Sequence, residues 1–417
     1  MQLNSTQLNS TQLNSTQLNS TQLNSTQLRR ILIVLDQYDG ENNGTTMTAR
    51  RLAEGLRNVG YEVKIVSTGK EAPDKFVVPP LTMPSFMRNI ISAQGMIIAG
   101  SDKETLRKAI KWANLVHFVM PFFLSNAGVK IARELGVPHT AAFHVQPQNI
   151  TYSIGMGTAK LPNAFLYNLM RDHFFKYFRR IHCPSRFIAH QLEEHGYTAQ
   201  RYVISNGVDP HFRYIKAEKP TELQDRLVIL MIGRLSKEKR QDLLMEAAKL
   251  SRYANRIQLI FAGKGPLKKQ YQKQGTALPH QPIFTFCTQA ELITIISYAD
   301  LYVHTADAEI EAIACIEAFS CGLVPVIANS DQSATPQFAL DDRSLFEAGN
   351  ARALAEKIDY WFDHPEERKA QEIRYAEYGK EFDHARCVAQ MVRMFEEEMN
   401  DPFYGSRENC RKGACVT

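Results

Sequence analysis

Several things are scarce in these 417 residues, and each scarcity narrows the possibilities. No apolar run reaches the roughly 18–20 residues that cross a bilayer, so no transmembrane helix is expected. The N-terminus lacks a basic-then-apolar leader, so no export signal is expected. Seven cysteines, an odd number with no Cys-x-x-Cys pair, read as reduced thiols and not as a disulfide framework. Cys315 and Cys321 lie in apolar runs, where Cys behaves as a small hydrophobe. The net charge of +5 is too small to imply nucleic acid. A hydrophobic fraction of 44% with 22% charged residues excludes a wholly disordered or fibrous chain.

What is present begins with a repeat. Gln-Leu-Asn-Ser-Thr recurs five times from Gln2 to Thr26. A five-residue period matches neither helix nor strand, so residues 1–28 read as a disordered tail. Ile31 to Leu35 is a continuous apolar run of the kind buried in parallel sheets. A polar loop from Asp36 to Gly44 leads into an amphipathic helix carrying Ala49, Leu52, Ala53 and Leu56, and Gly60 ends it before a second strand at Tyr61 to Val66. Further strands are expected near Leu115–Phe118, His139–Phe143 and Ile181–Cys183. The pattern restarts with a strand at Leu227–Ile232 and continues through Gln258–Ala262, Leu301–His304 and Val324–Ile327. The expected class is α/β: two Rossmann-like units, residues 29–210 and 211–382, then a helix at 383–400 and a tail at 401–417.

Two clusters in the second unit carry chemistry. Gly233-Arg234-Leu235 ends a strand, with Lys239 five residues after Arg234. A strand end running into a helix start is the usual ligand position in open α/β sheets. A rigid Arg fork and a Lys point charge suit a diphosphate there, although a solvated basic turn fits the same residues. Glu309 sits before a helix and Glu317 within it. Amides near Ile313 and Ala314 can face an anion between them. Glu317 is flanked by Ala314, Ile316, Ala318 and Phe319, and a carboxylate among such neighbours needs a partner.

Together Gly233-Arg234-Leu235-x-x-Glu238-Lys239, the E-x7-E of Glu309 and Glu317, and Ala318-Phe319-Ser320-Cys321-Gly322 before Pro325-Val326 resemble glycosyltransferase family 4. Asn206-Gly207-Val208-Asp209 resembles that family's inter-domain motif, and Gly263-Lys264-Gly265-Pro266 its G-x-G-P turn. The resemblance implies the GT-B fold, two facing Rossmann-like domains with the C-terminal helix packing back on the first. It implies retaining transfer of a hexose from a UDP-sugar, UDP-glucose or UDP-galactose, held mostly by the second domain. Arg234 and Lys239 would neutralise the diphosphate, Glu317 would bind ribose hydroxyls and Glu309 sugar hydroxyls. Gly44 would let backbone approach the phosphates, and Gly263, Ile313 and Ala314 would complete the donor site. His144, which spacing alone reads as a core histidine, matches the family's histidine near the reacting sugar. Asn43, Arg240 and Glu311-Ala312 depart from the family pattern, which has Gly, Gly and Phe-Gly there. No Asp-x-Asp occurs, so Arg234, Lys239 and helix amides are expected to replace a metal, with no other cofactor.

The acceptor is read from Thr151 to Arg180. It holds Phe165, Tyr167, Met170 and Phe174 together with Lys176, Arg179 and Arg180. A basic, aromatic-rich helix reads as binding an anionic membrane surface. Packing inside the first domain fits the same pattern. Residues 29–210 hold 22 Lys and Arg against 14 Asp and Glu, the asymmetry a lipid acceptor needs. The stretch Phe76 to Ile98 is a second candidate contact. Phe143 to Asn149 resembles lipid-glycosylating members of the family. The expected protein is cytoplasmic, peripheral on the inner membrane face, and acts on diacylglycerol or ceramide. Rival readings are transfer to a capsule or lipopolysaccharide glycan, a GT-B sugar-nucleotide epimerase, a non-catalytic binding protein, and a nicotinamide dehydrogenase. The last lacks a G-x-G-x-x-G in the Asp36–Gly44 loop.

Overall fold

The computed structural model describes residues 29–40, 44–85, 96–153 and 159–404. The repeat, Asn43, residues 86–95 of the second candidate contact and residues 405–417 lie outside the described residues.

Two parallel sheets organise the chain. The first contains β1 (Arg30–Gln37), β2 (Glu62–Thr68), β3 (Lys75–Val77), β4 (Leu115–Phe118), β5 (His139–Ala142), β6 (Arg180–Cys183) and β7 (Gln200–Val203), in the order β3-β2-β1-β4-β5-β6-β7. The second contains β8 (Leu227–Ile232), β9 (Ile257–Ala262), β10 (Ile283–Thr285), β11 (Leu301–His304), β12 (Pro325–Asn329) and β13 (Leu345–Glu347), in the order β10-β9-β8-β11-β12-β13. Every strand pair is parallel. Helices therefore cover both faces, which explains why Ile31 to Leu35 is apolar without alternation. In each sheet the strand order reverses beside the first strand, between β1 and β4 and between β8 and β11. Ligands bind at the carboxyl ends of strands flanking such a reversal. Gly233-Arg234 follows β8, and Glu309 follows β11.

The helix His384–Met399 returns to the first sheet. Cys387, Val388, Met391, Met394 and Phe395 recur at helical spacing and join Ile31, Ile33, Ala49 and Leu56 in one apolar cluster. The approach is close: a Cβ at Gly55 would lie 2.4 Å from Val388 Cγ2.

The aromatic segment corrects one expectation. Tyr167, Phe174 and Arg180 do not face a membrane. Tyr167 and Phe174 are buried in the first-domain core, where Tyr167 stacks on Phe143. Met170 is half-buried between two apolar clusters. Arg180 bonds Glu398 at 2.6 Å and Asp401 at 2.9 Å, and Arg179 pairs with Asp401 at 3.0 Å. This cluster also packs the start of the tail, since the Tyr404 hydroxyl donates to Glu398. The helix Lys160–His173 instead turns Leu161, Phe165 and Leu169 outward, 85%, 65% and 41% exposed. Lys160 and Lys176 are exposed nearby in sequence.

Candidate active site

Two loops at the reversal point of the second sheet are knitted together. The Thr305 hydroxyl donates to the Lys239 and Arg240 carbonyls, and the Asp307 amide donates to the Glu238 carbonyl. Gly263 packs beneath them: a Cβ there would fall 1.9 Å from the Gly233 carbonyl oxygen, so its backbone requirement is structural. A Cβ at Gly44, in contrast, meets nothing within 4 Å among the described residues, so their packing does not demand glycine there.

The loops bring Lys239 and Glu309 into a half-buried ion pair. His304 Nε2 lies 3.2 Å from the same Glu309 oxygen, and the Tyr302 hydroxyl lies 2.9 Å from His304 Nδ1. Burial alone would push the Glu309 carboxyl up. The Lys239 charge and His304 overcome it and hold the carboxyl down at about 2. Burial pushes His304 down, so it stays neutral. Tyr302 can then donate to Nδ1 while Nε2–H faces the carboxylate. His304 was not singled out in the sequence, though it ends the strand at the reversal point.

Glu317 lies in the helix Ile313–Ser320, whose first-turn residues Ile313 and Ala314 are half-exposed. Burial raises its carboxyl, opposed by Arg51 of the first domain, 3.1 Å away. Arg51 is a site residue that sequence reasoning missed, and 266 positions separate the partners. Arg234 is half-buried beside Gly233.

Among the described residues, two non-glycine residues have left-handed backbone, Arg240 at φ 56° and Ala312 at φ 66°. Both are positions where the sequence departs from an expected glycine; the third such position, Asn43, lies outside the described residues. The glycine-shaped backbone is kept at both, at a cost of about 1 kcal/mol or more each. Arg240 caps the following helix and lies 3.6 Å from Asp307.

His144 follows β5 on the facing domain and is half-buried. Its ring lies edge-on to His182 with centroids 5.3 Å apart. Burial and His182 push it down to about 3, so the imidazole is neutral. A small cavity of about 20 Å³ is lined by His117, His144, His182, His384, Ser205 and Asn206. A far larger one, about 750 Å³, is lined by linker residues such as Asp209, Arg213 and Tyr214 and touches none of these groups.

The domains meet across the site. The Tyr152 hydroxyl donates to Asp307 at 3.3 Å, the Gln146 amide to the Gln332 carbonyl at 2.9 Å, and the Ser185 hydroxyl to the Ile310 carbonyl at 2.7 Å. Lys239 and Glu309 thus stand just before the helix Ile313–Ser320 in one domain, with a neutral histidine on the facing domain. Fixed positive charge at a strand end suits an anionic ligand.

Residues 42–212 match the family profile Glycosyltransferase Family 4, and residues 213–380 match Glycosyl transferases group 1. The chain belongs to the family 4 glycosyltransferases. It is a hexosyltransferase of GT-B fold. It is 24% identical over 323 residues to the alpha-monoglucosyldiacylglycerol synthase of Streptococcus pneumoniae, covering 72% of this chain and 71% of that protein. It is 26% identical over 309 residues to a GDP-mannose-dependent alpha-mannosyltransferase of Mycolicibacterium smegmatis, covering 72% and 79%. Among solved structures, Anabaena HepE in complex with UDP and glucose has a TM-score of 0.66 at 14% identity, covering 88% of this chain and all of that one. The catalytic domain of cholesterol-alpha-glucosyltransferase from Helicobacter pylori is 46% identical over 37% of this chain and 98% of its own, with a TM-score of 0.37. No helix among the described residues of this glycosyltransferase is long and apolar enough to cross a membrane.

Proposed function

We propose that this glycosyltransferase moves a hexose from a UDP-sugar to a membrane lipid, with retention of anomeric configuration and without a metal. The observation that carries the lipid acceptor is the outward stripe on the helix Lys160–His173. Leu161, Phe165 and Leu169 are four residues apart, so each is offset about 40° from the last and all three share one face. Exposed Lys160 and Lys176, and the basic excess of the first domain, suit an anionic leaflet. The glucosyldiacylglycerol synthase among its relatives supports the same reading.

In this reading the diphosphate lies against Arg234, Lys239 and the Ile313–Ala314 amides. The acceptor hydroxyl attacks the anomeric carbon from the face the diphosphate leaves. The new carbon–oxygen bond forms as the bond to phosphate breaks, and the acceptor's proton goes to the departing phosphate oxygen. Fixed cations stabilise the developing charge where a metal would otherwise act. Glu309 and Glu317 hold hydroxyls of the sugar and ribose, so Arg51 must yield Glu317 as the donor enters.

The test is incubation of purified protein with anionic liposomes containing diacylglycerol, ceramide or cholesterol, in EDTA, against UDP-glucose, UDP-galactose and GDP-mannose. Mass spectrometry is expected to show a hexosyl-lipid with a UDP-sugar. Turnover only after metal is restored removes the metal-free mechanism. Product only with an oligosaccharide or polyprenyl acceptor removes the lipid reading. Interconversion of the sugar nucleotide without acceptor moves the protein to the epimerases. A second expected result isolates the membrane face. Changing Leu161, Phe165 and Leu169 together to Ser weakens vesicle binding on the order of a hundredfold, at about 1 kcal/mol of lost apolar burial per side chain. UDP affinity stays within threefold, checked by vesicle sedimentation and calorimetry.

A further inference from the structure

The segment Glu309-Ile310-Glu311-Ala312 faces two ways. Glu309 turns toward Lys239 and His304 in its own domain. Ile310 packs against the first-domain core, and its carbonyl accepts from Ser185. Glu311, only 3% exposed, turns to the linker that leaves β7. Its carboxylate accepts from the Ser205 hydroxyl, from the Asn206 amide at 3.1 Å and from the Asn206 side-chain amide. The donor directions follow from the surroundings. Ser205 Oγ already accepts from the Gly207 amide, which leaves its proton for Glu311. In its ionised form Glu311 only accepts, which turns the Asn206 NH₂ toward it and Oδ1 away. That Oδ1 is buried and unpartnered, and so is His182 Nδ1. His182 Nε2–H is committed to the Ile204 carbonyl at 2.7 Å, so its Nδ1 is an acceptor. Asn206, His182 and His144 line the same small cavity.

We propose that Glu311 is a positioning residue that fixes the donor-sugar loop to Ser205 and Asn206, and through them sets where Glu309 stands relative to the His144 face of the first domain. The contact cannot be replaced by shape alone. A buried carboxyl among three donors leaves all three unsatisfied when it is removed. Nor does it need full charge. Burial outweighs the three donors and pushes this carboxyl up to about 7, so the neutral form is already well populated at neutral pH. An amide of the same shape should therefore serve. This inference rests on the reading that the sugar reacts between Glu309 and His144.

The test compares Glu311→Ala, Glu311→Gln and Ser205→Ala. Two measurements are made: calorimetric binding of UDP alone, and kcat and KM with the donor and acceptor used by wild type. Glu311→Ala is expected to lower kcat tenfold or more while UDP Kd stays within threefold. Glu311→Gln is expected to restore kcat to within threefold of wild type, because its amide oxygen still accepts from Ser205 and the Asn206 backbone amide, while Asn206 flips so that its free Oδ1 accepts from the Gln NH₂. Ser205→Ala, a milder change that keeps the tie to Asn206, gives a kcat loss of about threefold, and provides the answer if Glu311→Ala does not fold. Unchanged kcat in Glu311→Ala, or in Ser205→Ala when that variant stands in, overturns the proposal. So does a fall in UDP affinity that matches the fall in kcat/KM, or a Gln variant as impaired as Ala. Wild type that binds UDP but transfers no sugar overturns the underlying reading instead.

Discussion

Lys239→Ala is expected to lower kcat/KM for sugar transfer by about 10²–10³-fold, the usual loss when one charge-stabilising group leaves a dry site. The Lys239 side chain is 18% exposed and its charge is paired with Glu309. A ligand diphosphate offers it a second anion at the strand end where such groups bind. Without Lys239, Glu309 keeps neutral His304 beside it and, among the described residues, no paired cation. Its carboxyl then rises from about 2, because burial is no longer opposed by a cation. The variant thus loses phosphate neutralisation and a correctly ionised sugar ligand together. Stability falls as well, since a half-buried carboxyl loses its cation, by roughly 1–3 kcal/mol. Lys239→Ala combined with Glu309→Gln separates these losses. Stability is expected to recover in the double variant while transfer stays low. Lys239→Arg is not a safe control, because a planar fork replaces a point charge. UDP calorimetry and urea melts on the same preparations check each part. A single variant with kcat/KM within threefold of wild type would take Lys239 off the diphosphate.

Much of this site was legible in the sequence, for a local reason. Gly233-Arg234, Lys239, Glu309 and Glu317 follow strands whose apolar runs are plain, and the order of strands and helices puts those ends together. The same pattern misled where only long-range partners decide. An apolar stripe at helical spacing states that a face is dry, not what dries it. Tyr167 and Phe174 are dried by the first-domain core. Arg180 looked like a membrane cation because Glu398 and Asp401 stand 218 and 221 residues away. Arg51 was invisible for the same reason. The left-handed turns at Arg240 and Ala312 show a subtler limit. Their side chains departed from the expected glycines, yet the backbone did not, because the surrounding hydrogen bonds fix it. The departure at Glu311 looked like a weakened motif. It is a buried carboxylate whose three donors lie about a hundred residues earlier.

His144→Ala is expected to lower kcat by about 10²-fold or more, leave UDP affinity within threefold and change the acid stability of the fold. His144 stands on the domain facing the cations, so its loss should be felt by the reacting sugar and not by the diphosphate. Because the imidazole is held at about 3, it is neutral throughout the working range and can offer only a hydrogen bond. It cannot produce an acid limb near the ordinary histidine pKa, and the kcat–pH profile should stay flat through pH 6.5. His144→Gln, which keeps an N–H donor, should recover part of kcat. The stability sign follows from the same shift. Between about pH 3 and 6.5 the unfolded chain protonates this histidine and the folded chain does not. Its contribution to stability is therefore present above pH 6.5 and is lost as pH falls, at up to roughly 1.4 kcal/mol per pH unit for one such group. His182, held at about 4, and His117, pushed well below its ordinary value by burial, act in the same direction. Urea melts from pH 7.5 to 5 should show wild type losing stability steeply and His144→Ala less steeply. An acid limb near pH 6.5 in wild-type kcat that disappears in His144→Gln would show instead that this histidine titrates and acts as a base. The proton would then pass through His144 and not to the departing phosphate.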